Sequence, residues 1–570
     1  MQGSMGIRAR RAVALAAGLT IAVAAAAPAL ASNRAKKLDK VNHIVVIYQE
    51  NHSFDNLYGS WEGVNGLANA DAVHTTQVSQ AGDPYTCLKQ NDVKLTSPPL
   101  PATCTDTTTG SPFQSAFRNE PFAIDDYISP TDTSCPAPGA PSGPPGIPKG
   151  SGLPGGCTED LVHRFYQEQY QLDGGKQDRY TTGSDAIGLT QGYYRTHNLP
   201  IYRYLHEPAH PRYAIADNFF QSAFGGSFLN HQWLIAAATP TFQNPPEGLR
   251  SIIDSNGMPN GMPTNNNYAL YTATGPVADG ALTATCAQSA AVGRPDLACG
   301  DYAVNTIQPT YQPYTPGTAA ANRLPPQTAP TIGDELSARG IDWAWYAGGW
   351  SNANGDVGGP GWTNGNGPTC SDPTAFPTAV YPNCPDLLFQ FHHQPFNYFS
   401  NYAPGTAART AHLRDEEEFI GAAISSTQSE CKLKPVSFVK PIGEDNEHPG
   451  YASEAVGNSH LVELLRAIET GGCRKDTMVI ATYDEFGGQW DHVTPPGQGG
   501  AEGPHDIWGP GTRIPAIVIS PFLRGQHAVD HTQHDTTSIL ATIEQRFGLD
   551  PLSSRDAAVA DLSSVFSAHP

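Results

Sequence analysis

The sequence predicts an α/β fold: a mainly parallel central sheet with helices on both faces and long loop insertions. Two observations lead there. Six short runs are nearly continuous in apolar, β-branched and aromatic residues: 43–48 (HIVVIY), 212–216 (RYAIA), 342–346 (DWAWY), 436–439 (VSFV), 478–482 (MVIAT) and 515–520 (PAIVIS). Helix-like stretches at 159–170, 227–238, 411–426, 453–469 and 535–547 separate many of them. Unbroken apolar strands alternating with helices mark a sheet buried on both faces, because βαβ crossovers lay helices over each side.

The chain begins with Arg8, Arg10 and Arg11, an alanine-rich apolar run from Ala12 to Ala27, and the small-residue pattern Ala29-Leu30-Ala31. This reads as a secretory signal peptide over 1–31, too short and wrongly flanked for a membrane anchor. Arg10-Arg11 also fits a twin-arginine route. No later stretch is long and apolar enough to span a bilayer, so an exported protein, periplasmic or secreted, is expected. Loss of the leader takes the formal charge from −21 to −24. Such acidity argues against nucleic acid as a partner, since nucleic acid is held by basic patches. Anionic substrates stay possible where a metal ion reverses the local field.

Residues 32–570 are expected to form one catalytic domain. The 57 glycines and 50 prolines crowd into segments such as 136–156, 303–332 and 352–368, which read as surface loops, with insertions at about 80–160 and 240–330. Ten cysteines in an exported chain suggest disulfides. Proximity pairs Cys87 with Cys104, Cys135 with Cys157, Cys286 with Cys299 and Cys370 with Cys384, which leaves Cys431 with Cys473.

Strand ends carry the chemistry, as open α/β sheets gather ligands at their carboxyl edge. The first strand runs into Glu50 and Asn51, and the strand at 478–482 into Asp484 and Glu485. The strand at 436–439 leads to Glu444, Asp445 and His448, and 212–216 leads to Asp217. Together Glu50, Asn51, Asp484 and Glu485 make an oxygen-rich set suited to a hard divalent cation, although each cluster taken alone also reads as turn and cap residues. Gly225-Gly226 precedes Ser227 at the expected start of a helix, where free backbone N–H groups favour an anion such as phosphate; Ser227 as a plain helix cap is the competing reading. The pattern is not G-x-S-x-G, which disfavours a serine esterase. His163, His392, His393 and His448 sit in polar or aromatic loops and suit phosphoryl-oxygen stabilisation or protonation of a leaving alcohol. His527, His531 and His534, with Asp530 and Asp535, read as a solvated turn capping the helix from 535.

The segments HIVVIYQENHSFDNLYG, DNFFQSAFGGSFLNHQWL, HHQPFNYF, NEHPG, TYDEFGGQWDHVTPP and GPGTRIPAIVISPF occur in this order between about 41 and 548. They resemble the successive motifs of the bacterial phosphoesterases that join phospholipases C with a group of acid phosphatases. The resemblance implies an alkaline-phosphatase-like fold, one principal divalent metal, and hydrolysis of phosphoric esters through a covalent phosphoenzyme. It places Glu50, Asn51, Asp484 and Glu485 at the metal positions and Ser227 at the nucleophile. His163, His392, His393 and His448 fall on histidines of the phosphate pocket.

The segment 163–180 (HRFYQEQYQLDGGKQDRY) and a serine at 227 look more like the acid phosphatase branch, and His52 stands where phospholipases C carry Arg. A phosphomonoesterase is therefore the leading expectation. A phospholipase C cleaving lipid head groups is the first alternative, with aromatic segments 342–350 and 391–399 receiving a lipid or choline group, although both segments suit the core at least as well. An exported, catalytically inactive binding protein is the second.

Overall fold

The computed structural model describes residues 33–90, 100–128, 158–259, 268–372, 376–450 and 452–568. Its centre is an eight-stranded sheet built from β1 (His43–Gln49), β2 (Tyr213–Ala216), β3 (Trp343–Ala347), β4 (Leu413–Asp415), β5 (Val436–Lys440), β6 (Thr477–Tyr483), β7 (Ala516–Ile519) and β8 (His527–Asp530). The spatial order is β4-β3-β5-β1-β6-β7-β2-β8. Every neighbouring pair is parallel except those of β7, which runs antiparallel to both β6 and β2. All residues of β2, β3, β5, β6 and β7 are buried, so both faces of the sheet are covered, as their apolar composition requires.

The main helices are α1 (Phe165–Leu172), α2 (Ser227–Ala236), α3 (Glu416–Ser425), α4 (Glu454–Thr470) and α5 (Thr537–Phe547). Helices α2 and α5 pack together, as do α3 and α4. Among the described residues no helix is long and apolar enough to cross a membrane.

All six expected strands are present, and two departures concern short edge segments. The expected helix at 411–426 is interrupted by β4, because Asp415 turns its carboxylate to the N–H groups of Ser351 and Glu417 and so caps α3 instead of continuing a helix before it. The histidine-rich tail is not a solvated turn. His527 and Asp530 belong to β8, and His534 and Asp535 are buried beside it. His534 Nε2 contacts Ser564 Oγ at 3.0 Å, and only His531 is exposed, beside Asp217. Disulfides join Cys87–Cys104, Cys286–Cys299, Cys370–Cys384 and Cys431–Cys473. The expected leader and the Cys135–Cys157 pair lie outside the described residues.

Candidate active site

Strands β1 and β6 run in parallel register, with Gln49 beside Tyr483. The next residues along, Glu50-Asn51 and Asp484-Glu485, therefore emerge together at the carboxyl edge. The Glu50 N–H donates to the Asn446 carbonyl (2.8 Å) and the Asp484 N–H to the Gln49 carbonyl (3.1 Å), which pins both turns. Asn51 adopts φ 70°, a left-handed conformation that asparagine tolerates better than most residues. Gly487 (φ +61°) crosses its back, and a Cβ there would meet the Asn51 carbonyl oxygen at 2.1 Å, so the approach requires glycine.

Ser227 is the first residue of α2, with Gly226 as N-cap and no side chain capping the free N–H groups. It is 3% exposed. Its Oγ donates to Glu50 Oε2 at 3.0 Å, and Asn51 Oδ1 and Glu485 Oε1 both lie 3.4 Å away. The loop before it is held by Glu168 on α1. Both oxygens of that buried carboxylate accept: Oε2 from the Gly225 N–H and Gln221 Nε2, Oε1 from the N–H and hydroxyl of Thr512. Gln221 Oε1 in turn accepts from the Phe486 N–H, tying the serine loop to the Asp484-Glu485 turn. Burial pushes the Glu168 carboxyl up to about 7, although four converging donors favour its ionised form.

Histidines ring the carboxylates. Asn51 Nδ2 lies 2.7 Å from His448 Nε2 and 3.4 Å from His163 Nε2. The far nitrogens of these rings contact the Pro449 and Leu161 carbonyls. His163, 17% exposed, also stands 3.7 Å from Glu485, at the mouth of the site. His393 Nε2 is 2.9 Å from Glu50 Oε1. His392 is one ring removed, edge-on to His393 at 4.5 Å, so the structure brings it near the cluster without contact to Ser227 or the carboxylates. His52 is buried against Asn56 Oδ1 and the Glu447 carbonyl, behind the cluster, and Asp217 lies apart with His531.

Two residues of the cluster escape a reading by motif. Lys440, the last residue of β5, is buried with its ammonium 2.7 Å from Glu50 Oε1. The strand-end rule that finds Glu50 applies equally to it. His231 lies one helical turn after Ser227, a spacing that returns it to the same face. Its ring stacks on His393 at 4.9 Å, and its Nδ1 contacts the Ser227 carbonyl and stands 3.7 Å from Asp484 Oδ2.

Burial alone would raise the Glu50 carboxyl, but the adjoining His393 and the Lys440 ammonium hold it well below the usual range. Burial likewise pushes the His393 and His231 imidazoles well below the usual histidine range. Asp484 and Glu485 are pushed well above the carboxylate range, by burial first, then by the charge of Glu50 on the former and of Asp484 on the latter. Asp484 Oδ2 is buried with no hydrogen-bond partner. Three carboxyls around one internal cation, one of them with an orphaned oxygen, make a donor set that fits a hard divalent ion.

The phosphoesterase family profile matches residues 41–550. The chain belongs to the phosphoesterase family. Among curated relatives, phospholipase C B of Mycobacterium tuberculosis (strain CDC 1551 / Oshkosh) is 36% identical over 160 residues, 24% of this chain and 30% of that protein. Non-specific phospholipase C6 of Arabidopsis thaliana is 27% identical over 207 residues, 33% of this chain and 38% of its own. Non-hemolytic phospholipase C of Pseudomonas aeruginosa is 29% identical over 162 residues, 24% of this chain and 23% of its own. In each match this phosphoesterase spans less than two fifths of the relative's length.

Proposed function

We propose that the protein is a metal-dependent hydrolase of phosphoric esters, an acid-phosphatase-type phosphomonoesterase that works through a phosphoserine at Ser227. The observation that carries this reading is the Ser227 hydroxyl at the N-terminus of α2, 3.0 Å from Glu50 Oε2 and within 3.4 Å of Asn51 and Glu485. A solvated capping serine has no need of such neighbours.

Glu50, Asn51, Asp484 and Glu485 would hold the ion. When bound, it supplies positive charge that lowers the pKa of the serine hydroxyl and offsets charge on the phosphoryl oxygens. Glu50 Oε2 accepts the hydrogen bond of the hydroxyl and takes its proton as Oγ attacks phosphorus. As Oγ bonds to phosphorus and the P–O bond to the alcohol breaks, the free N–H groups of α2 face the phosphoryl oxygens. His163 and His393 border the same space and stabilise those oxygens, with His392 behind them. His448 delivers a proton to the departing alkoxide. Water then attacks phosphorus and gives a proton back to His448, the Oγ–phosphorus bond breaks, Glu50 returns the proton to Oγ, and phosphate leaves. Two steps with a good nucleophile replace one difficult attack by water.

Residues 32–570 form the catalytic domain, after removal of a signal peptide at 1–31, and the protein acts outside the cytoplasm. The four disulfides support that location, because such bridges persist in oxidising compartments.

A second reading, a phospholipase C, is favoured by the names of the curated relatives. The test is turnover of an aryl phosphate monoester, a diester and phosphatidylcholine, each before and after chelation. Monoester hydrolysis alone, lost on chelation, supports the phosphatase. Release of diacylglycerol supports the phospholipase, and silence on all three substrates supports a binding protein.

A further inference from the structure

Glu50, His231 and His393 present one oxygen and two imidazole nitrogens within 4.8 Å of one another, all buried. These are the ligand types and number of an open zinc site. The Lys440 ammonium already stands there, 2.7 Å from Glu50 Oε1. Around it the two oxygens of Glu50 are divided. Oε1 faces Lys440 and His393, at 2.7 and 2.9 Å, while Oε2 faces Ser227 at 3.0 Å.

We infer that Lys440 is a positioning residue whose ammonium takes the place of a second metal ion, so that the centre holds one divalent cation and Glu50 turns a single oxygen toward Ser227. The inference rests on the proposed function for the cation at Glu50, Asn51, Asp484 and Glu485. Charge supports it. In the ionised form that holds a cation, the carboxylates of Glu50, Asp484 and Glu485 with one ammonium leave two negative charges, which one divalent ion balances. Without the ammonium, the same carboxylates and the stacked imidazoles form a pocket of excess negative charge with ligands for a second ion. Lys440 follows directly on the apolar run of β5, and nothing on that strand lets its side chain reach water, since every residue of β5 is buried. A lysine buried only to neutralise Glu50 would make the same contact. The two roles differ in what its removal does to metal content.

The experiment titrates Zn2+ into metal-stripped full-length protein and counts ions per chain by elemental analysis after gel filtration. Wild type, Lys440→Gln and Lys440→Arg are compared, with thermal melting as a check on folding. One ion is expected in wild type and in Lys440→Arg, and two in Lys440→Gln, whose kcat falls at least tenfold. Should Lys440→Gln fail to fold, Lys440→Met carries the same expectation of two ions. One ion or fewer in the neutral variants, or two in wild type, overturns the inference and leaves the proposed function standing. A wild type that binds no ion overturns both the inference and the metal-dependent half of that function, while loss of turnover in Ser227→Ala would still uphold the nucleophile.

Discussion

Ser227 Oγ and Glu50 Oε2 lie 3.0 Å apart although 177 residues separate them in the chain. The helix start and the strand end that carry them meet only because β1 sits at the centre of the sheet and α2 begins above its carboxyl edge. Nearly every feature of the site follows from that meeting.

Replacing Ser227 by Ala removes the hydroxyl that donates to Glu50 and no apolar packing. Turnover of a phosphate monoester should fall by at least about 10³-fold, the usual scale for loss of a covalent nucleophile. The melting temperature should stay within a few degrees of wild type. Steady-state kinetics beside a thermal melt checks both, and retained activity would dismiss the nucleophile.

Asp484→Asn should weaken binding of a divalent cation by roughly tenfold or more, because one carboxylate of the donor set is lost. In the metal-free protein the sign reverses. Burial first, then the charge of Glu50, pushes Asp484 well above the carboxylate range, so folding must protonate a group that is ionised in the unfolded chain; Asn carries no such cost, and the stripped variant should melt higher than stripped wild type at neutral pH. Melting curves with and without chelator read both halves.

Glu168→Gln places an NH2 group among four donors that now converge on two oxygens. At least one donor must lose its partner, at a cost of roughly 2–3 kcal/mol. Because Gly225 and, through Gln221, Phe486 are both held by this carboxylate, kcat should fall while KM changes little. A variant that lost stability with kcat intact would show Glu168 to be scaffolding alone.

His460 on α4 lies 3.0 Å from Glu416, the first residue of α3. Burial alone would lower its pKa, but the hydrogen bond and charge of Glu416 prevail and raise it to about 9. A folded-state pKa above the unfolded value of about 6.5 gives stability that is complete below pH 6.5 and disappears as pH rises through about 9. His460→Gln should therefore cost roughly 2–3 kcal/mol at pH 6 and almost nothing at pH 10. Denaturant melts at the two values decide it, and an equal loss at both would rule out the charged pair.

By itself the sequence determined the sheet and half of the candidate site. β1, β2, β3, β5, β6 and β7 are legible because each is a run of apolar residues that only a doubly covered sheet can bury. The two strands it hides, β4 and β8, are the outer strands of the sheet. Edge strands are short and tolerate charge, so Leu413–Asp415 and His527–Asp530 carry too little apolar pattern to declare themselves. Glu50, Asn51, Asp484, Glu485 and Ser227 were legible in the same way, as polar residues set against strand ends and a helix start.

What only the tertiary structure decided is which groups touch. Lys440 beside Glu50, His231 stacked on His393, and Glu168 clamping the serine loop are pairings between distant segments, and no local periodicity encodes them. The physical reason is that burial gives a lone charge no water to fall back on. Partners must then come from whatever strand end or helix face the fold brings within reach, and that choice is made by the register of the sheet.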